Sequence, residues 1–221
     1  MTQNVRIRAD AIQLDGALGV PRDAAAIVVF AHGSGSSRLS PRNTHVAQVL
    51  RHAGIATLLF DLLTEREAAD RANVFDVQLL ADRLRAATVW IRQSEATRAL
   101  HVGYFGASTG AAAALIAAAT DPTIGAVVSR GGRPDLAASA LPRVQAPTLL
   151  IVGGDDTLVM HLNQEAYAQL TCEKQLTIVP SASHLFEEPG TLDEVTRLAT
   201  EWFSGHLKGA AAERPLMVTA S

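Results

Sequence analysis

Along this chain, short aliphatic runs alternate with segments whose apolar residues recur at helical spacing. Ala26-Ile27-Val28-Val29-Phe30 is wholly apolar and stops at His32-Gly33-Ser34-Gly35, the pattern of a strand buried on both faces. Val5 to Leu14 instead alternates polar and apolar residues, as a half-exposed edge strand would. The pattern from Asn43 to Arg51 is helical and stopped by Gly54, and Ile55 to Phe60 predicts the next strand. Between residues 73 and 92, Val77, Leu80, Leu84, Ala87, Trp90 and Ile91 recur near helical spacing and predict one long amphipathic helix. Leu100 to Phe105 predicts a strand, the alanine-rich stretch 108–119 a helix, and Gly125 to Ser129 and Pro147 to Val152 two more strands. A helix near 162–170, a strand from Gln175 to Val179 and a last helix over 191–207 complete the pattern.

Strands separated by helices imply βαβ units and a mostly parallel sheet with helices on both faces, an α/β fold. Parallel strands put all their C-terminal ends on one edge, where ligands of open α/β sheets bind. The glycine-rich loops after the Ala26, Leu100 and Pro147 strands fall on that edge, as does the loop holding His184. No internal repeat or long linker divides the chain, so residues 1–208 are expected to form one domain, followed by a tail over 209–221. The tail reads as frayed, with its Leu216-Met217-Val218 leaving room for docking on the body of the chain or on the second subunit of a homodimer. About 17 residues connect Ser129 to Pro147, too few for a large lid domain.

Composition narrows the partners. Hydrophobic residues make up 48% of the 221, but aromatics only 5%, so the core is one of Ala, Leu, Val and Ile. A net charge of −3 gives no basic face, and no nucleic-acid partner is expected. The single cysteine, Cys172, excludes an intramolecular disulfide framework and a cysteine-based structural zinc site, and fits a reducing cytoplasm. Charges are spread through the first ten residues without an apolar run, so no secretory signal is legible. The longest apolar run, 111–119, is about half of a bilayer span. A cytoplasmic protein without membrane contact is the expectation.

The chemistry concentrates in four places. Gly106-Ala107-Ser108-Thr109-Gly110 matches the G-x-S-x-G elbow, in which a strained strand-to-helix turn lifts a serine hydroxyl clear of the sheet. Its context agrees, since an apolar strand precedes it and a small-residue helix follows. A serine hydroxyl needs a base, and the base needs an orienting carboxylate. In this fold the partners come in the order Ser, Asp or Glu, His. His184, in Pro180-Ser181-Ala182-Ser183-His184-Leu185-Phe186, is the histidine on a loop of the C-terminal edge after both serine and acid. His101, His161 and His206 read as solvated or packed residues. The acid comes from Gly153-Gly154-Asp155-Asp156, and the offset from the strand favours Asp156 over Asp155, the solvated or helix-capping neighbour. The loop Ala31-His32-Gly33-Ser34-Gly35-Ser36-Ser37 supplies one oxyanion donor, Ser34 first and Gly35 next, and the Thr109 amide the other. His32 reads as structural, bonding loop backbone. A phosphate-cradling role for that loop is weak, because neither nucleotide-binding glycine motif is complete.

These same residues (His32 to Ser37, Gly106 to Gly110, Gly154-Asp155-Asp156 and Ser183 to Phe186) give the chain a resemblance to the small dienelactone-hydrolase-like branch of the α/β-hydrolase superfamily over about residues 5–208. The resemblance implies an α/β-hydrolase fold without a large lid. It further implies a Ser108–Asp156–His184 triad acting on an acyl bond without metal or organic cofactor. One departure matters: true dienelactone hydrolases carry cysteine where this chain has Ser108, and Cys172 does not substitute for it. Ordinary esters of small acyl groups are therefore the expected substrates rather than dienelactone.

Gly35 and Arg130 are expected to touch substrate. Arg38, Arg42 and Arg133 also sit near the expected site, and pairing of these arginines with Asp61, Asp135 or Asp155 is the competing reading. Trp90 and Trp202 read as core. The same triad would serve a thioesterase, amidase, acyltransferase or C–C bond hydrolase, and the fold also serves non-catalytic receptors.

Overall fold

A computed structural model describes residues 2–208, so the tail expected over 209–221 lies outside the described residues. Its strands are β1 (Thr2–Ala9), β2 (Ile12–Gly19), β3 (Ala26–Ala31), β4 (Ala56–Phe60), β5 (His101–Ala107), β6 (Ala126–Arg130), β7 (Thr148–Gly153) and β8 (Lys174–Val179). They form one sheet in the order β1-β2-β4-β3-β5-β6-β7-β8. Pairing is parallel from β4 across to β8, and antiparallel where β2 joins β1 and β4. The helices are α1 (Pro41–His52), α2 (Glu65–Ala68), α3 (Arg71–Phe75), α4 (Val77–Gln93), α5 (Thr109–Ala118), α6 (Thr157–Gln169) and α7 (Thr191–Lys208).

Every residue of β3, β4, β6 and β7 is buried, which is why their sequences lack alternation. One core cluster lies under α1 and α7, with Phe30, Phe105 and Phe203 at its centre. The other lies under α4, α5 and α6, with Tyr104, Leu84 and Leu115. Trp202 and Trp90 are half-buried at the margins of these two clusters, as expected of core residues. Among the described residues no helix is long and apolar enough to cross a membrane.

Three expectations need correction. The single edge strand expected over 5–14 is a hairpin, β1 and β2, which reverses at Asp10 with φ of 53°. A short polar side chain tolerates that conformation, and the alternating pattern continues past the turn, which hid the reversal. The long helix expected over 73–92 starts only at Val77. Asp76 accepts hydrogen bonds from the amides of Gln78 and Leu79 and caps it, leaving Arg71–Phe75 as a separate turn. The helix expected near 162–170 opens five residues earlier, at Thr157. The connection from β6 to β7 contains only two short 3-10 turns, Pro134–Ala137 and Leu141–Arg143, and no lid.

His32 ties the C-terminal edge together. Its Nε2 accepts a hydrogen bond from the Leu62 amide at 3.1 Å, beyond the end of β4. Nδ1 must then carry the proton, and it donates to the Gly33 carbonyl at 3.0 Å. Burial pushes the imidazole pKa below its ordinary value, only partly offset by the Gly33 bond and Asp61. A base weakened by folding binds its proton more tightly in the unfolded chain. Its contribution to stability is therefore complete above about pH 6.5 and lost as pH falls through the lower folded value. Urea unfolding between pH 7.5 and 5 should show stability falling by up to about 1.4 kcal/mol per pH unit from this proton, and His32→Gln should flatten that slope. An unchanged slope in the variant would disprove the assignment.

Candidate active site

The elbow after β5 is built by close backbone contact. Ser108 has φ of 51° and ψ of −122°, a region that costs a non-glycine residue about 1–3 kcal/mol. The turn closes because the flanking glycines lack side chains. A Cβ on Gly110 would lie 2.2 Å from the Ala31 carbonyl oxygen, and one on Gly106 would lie 2.4 Å from Ala111 Cα. Ser108 is half-buried and occupies the N-cap of α5, with its side chain uncommitted to capping. Its amide donates to the Arg130 carbonyl at 3.3 Å, locking the elbow to the end of β6.

Asp156 and His184 meet across two adjacent loops. His184 Nδ1 lies 2.6 Å from Asp156 Oδ2, with the two side chains 38% and 14% exposed, so one end of the imidazole is held while the other remains reachable. The loops are drawn together by backbone: the Asp155 amide donates to the Ala182 carbonyl at 3.0 Å. Asp155 itself points to solvent, whereas Asp156, at the N-cap of α6, gives its carboxylate to His184 rather than to the helix. Glu188 braces the loop by accepting the Ser183 amide at 3.0 Å. A Cβ on Gly131 would lie 3.6 Å from His184 Nδ1. Residues 130 and 131 thus border both Ser108 and His184, although no hydrogen bond joins those two side chains among the described residues.

The glycine loop after β3 flanks the other side of the serine, where a Cβ on Gly33 would lie 3.0 Å from Ser108 Cβ. The Ser34 amide has a partner here: it donates to Thr109 Oγ1 at 3.0 Å. Thr109 begins α5, so its own amide is one of those that a helix leaves without an internal partner. Gly35 is exposed on the same loop with φ of 69°.

The arginines divide. Arg38 pairs with Asp61, Arg133 with Asp135 through two hydrogen bonds, and Arg42 with Glu187. Among the described residues Arg130 has no carboxylate partner. It is 7% exposed under Phe186, with Nη2 3.5 Å from Asn43 Oδ1 and the Nε and Nη1 atoms unpartnered. Burial, with Arg42 nearby, pushes its pKa down to about 10. The guanidinium therefore lies inside the α1 and α7 face rather than in the open cleft. His161 pairs with Glu165, and His206 with Glu173 and the Trp202 carbonyl, while His101 opens β5 at the far end from the elbow. Cys172 lies beside Thr148 at the opposite edge of the sheet, its thiol pKa raised by burial. Among the described residues no group of three or more His, Cys, Asp or Glu is gathered as a metal site.

Sequence reasoning passed over the segment 61–75 that borders the glycine loop. A signal was present, since Thr64 and Glu67 form a capping box that starts α2.

Comparison with known proteins agrees with this architecture. Residues 24–201 match the α/β hydrolase domain family. A dienelactone hydrolase from Anabaena variabilis, of known structure, is 56% identical, and the match covers 94% of this chain and 98% of that one at a TM-score of 0.91. Est1E from Butyrivibrio proteoclasticus, at 15% identity, shares the fold over 93% of this chain and 99% of its own, with a TM-score of 0.80. Two curated relatives from Mycobacterium tuberculosis, strains CDC 1551 and H37Rv, are provisionally named phosphoribosyl transferases and are each 59% identical over 209 residues. That match takes in 94% of this chain and 47% of each relative, so the chain spans about half the length of the curated relatives it matches. A family match across most of the chain, on a sheet of this order, shows that the chain belongs to the α/β-hydrolase family, in its dienelactone-hydrolase-like branch.

Proposed function

We propose that the protein is a serine esterase that cleaves carboxylic esters of small acyl groups, with Ser108, His184 and Asp156 as its triad. The observation that carries this reading is the 2.6 Å contact of Asp156 Oδ2 with His184 Nδ1, over the same strand end that anchors the Ser108 amide. A carboxylate on Nδ1 keeps the proton there and leaves Nε2 free as the base. His184 takes the Ser108 proton as Oγ attacks the substrate carbonyl. The proton then passes to the leaving oxygen, giving an acyl-enzyme. Water, deprotonated by His184, releases the acid and restores the serine.

The amides of Thr109 and Ser34 are the proposed oxyanion donors. A substrate oxyanion competes with Thr109 Oγ1 for the Ser34 amide, so substrate binding requires that hydroxyl to yield or to share. The phosphoribosyl transferase name belongs to proteins about twice as long, and their shared half is the part that carries the hydrolase family match, so the name supports no transferase reading here.

The experiments follow from these roles. Ser108→Ala should lower kcat on p-nitrophenyl acetate by roughly 10⁴-fold or more and abolish labelling by a fluorophosphonate probe. Retained Ser108-independent turnover would refute the mechanism. Asp156→Asn should cost about 10³–10⁴-fold in kcat, and Asp155→Asn no more than a few-fold, both read from the same assay. Without a lid over the site, butyrate should be hydrolysed far faster than palmitate in a p-nitrophenyl ester series, and a preference for palmitate would count against the small-acyl reading.

A further inference from the structure

The sheet order divides the space around Ser108 into two sides. His184 follows β8, so it stands on the β6, β7 and β8 side of Ser108, away from β3. If His184 returns its proton to the leaving oxygen, the leaving group must face that side. The acyl group then faces the other way, toward β3, β4 and β2. There the structure holds a cavity of about 600 Å³, within the range that encloses a small organic ligand. Its near wall is the glycine loop itself, from His32 to Leu39, whose Gly33 abuts Ser108 and whose Ser34 amide bonds Thr109. Its far wall comes from β2 and the 61–75 segment, with Leu14, Leu63, Val74 and Leu80 as apolar lining.

The charges around this cavity are unequal. Asp15, Asp61 and Glu65 line it together with the guanidinium of Arg38, and Asp15 also pairs with Arg6 at 3.7 Å. That guanidinium is already engaged, since Asp61 accepts both its Nη1 and, at 2.7 Å, the Arg38 amide. Burial disfavours a charge on His32, and its Nε2 accepts from the Leu62 amide. Among the described lining residues no cation is left to meet an incoming carboxylate, and a carboxylate lacking a partner is costly to desolvate beside Glu65, which has no ion pair there.

Resting on the esterase reading, we propose that this cavity is the acyl-binding pocket and that it selects uncharged acyl groups of arylalkyl size, rejecting acyl groups that end in a carboxylate. A neutral chain entering past Gly33 and Ser34 covers Leu63 and Val74, and each methylene buried there favours binding. An anionic tail of equal length meets Glu65 instead.

The test compares three p-nitrophenyl esters: the acetate, the 3-phenylpropanoate and the glutarate monoester. Wild-type kcat/KM should be at least tenfold higher for the phenylpropanoate than for the glutarate monoester. Val74→Trp, at a half-buried position on α3, should fill the cavity and cut phenylpropanoate hydrolysis at least tenfold while leaving the acetate within about threefold. Ala68→Trp, exposed on the neighbouring α2, should do the same and serves if the first variant folds poorly. Glu65→Lys, also exposed, should raise glutarate monoester turnover several-fold without changing the acetate. A wild-type preference for the glutarate monoester, or tryptophan variants that slow acetate and phenylpropanoate equally or not at all, would overturn the pocket while leaving the esterase reading intact. Absence of Ser108-dependent hydrolysis of all three esters would overturn the esterase reading and the pocket with it.

Discussion

The close approach of α5 to the end of β3 is the contact on which the rest of the site depends. The backbone at Gly110 passes so near the Ala31 and His32 carbonyls that no side chain fits between them. That contact fixes where α5 starts and therefore where the chain must turn after β5. Ser108 pays for the turn with a positive φ, and its hydrogen bond to the Arg130 carbonyl holds it there. Residues 111–115, 117 and 118 of the following helix are buried, which explains why they are alanines and one leucine: α5 is sandwiched between the sheet and its neighbours, where bulk would push it off β3.

Parallel order turns this one contact into a site. Because β3, β5, β7 and β8 all end on the same edge, four loops converge that are far apart in sequence. The β7 and β8 loops bring Asp156 and His184 to 2.6 Å, and the β3 loop lies against the serine from the opposite side. His32, bonded to the Leu62 amide, ties the β3 loop to the β4 loop, and so couples the glycine loop to the wall of the neighbouring cavity. Of the arginines around the site, Arg38, Arg42 and Arg133 pair with carboxylates and Arg130 is sealed beneath Phe186.

The sequence by itself determined the fold class, because wholly apolar strands alternating with amphipathic helices admit few arrangements other than a covered parallel sheet. It also marked the candidate site: Gly106 to Gly110 names its own turn, and Asp156 and His184 sit just beyond strands, where side chains emerge at the edge. Local patterns failed where the pattern continues across a break. The β1–β2 hairpin and the cap at Asp76 each interrupt a periodicity that reads as unbroken, and the α2–α3 segment is too short to show one. The tertiary structure alone decided how charges pair, that the Ser34 amide is met by the Thr109 hydroxyl, that Arg130 is buried, and that a cavity opens behind the glycine loop. Each of these depends on distances between residues tens of positions apart. Such distances follow from the order in which strands enter the sheet, which no local stretch of sequence records.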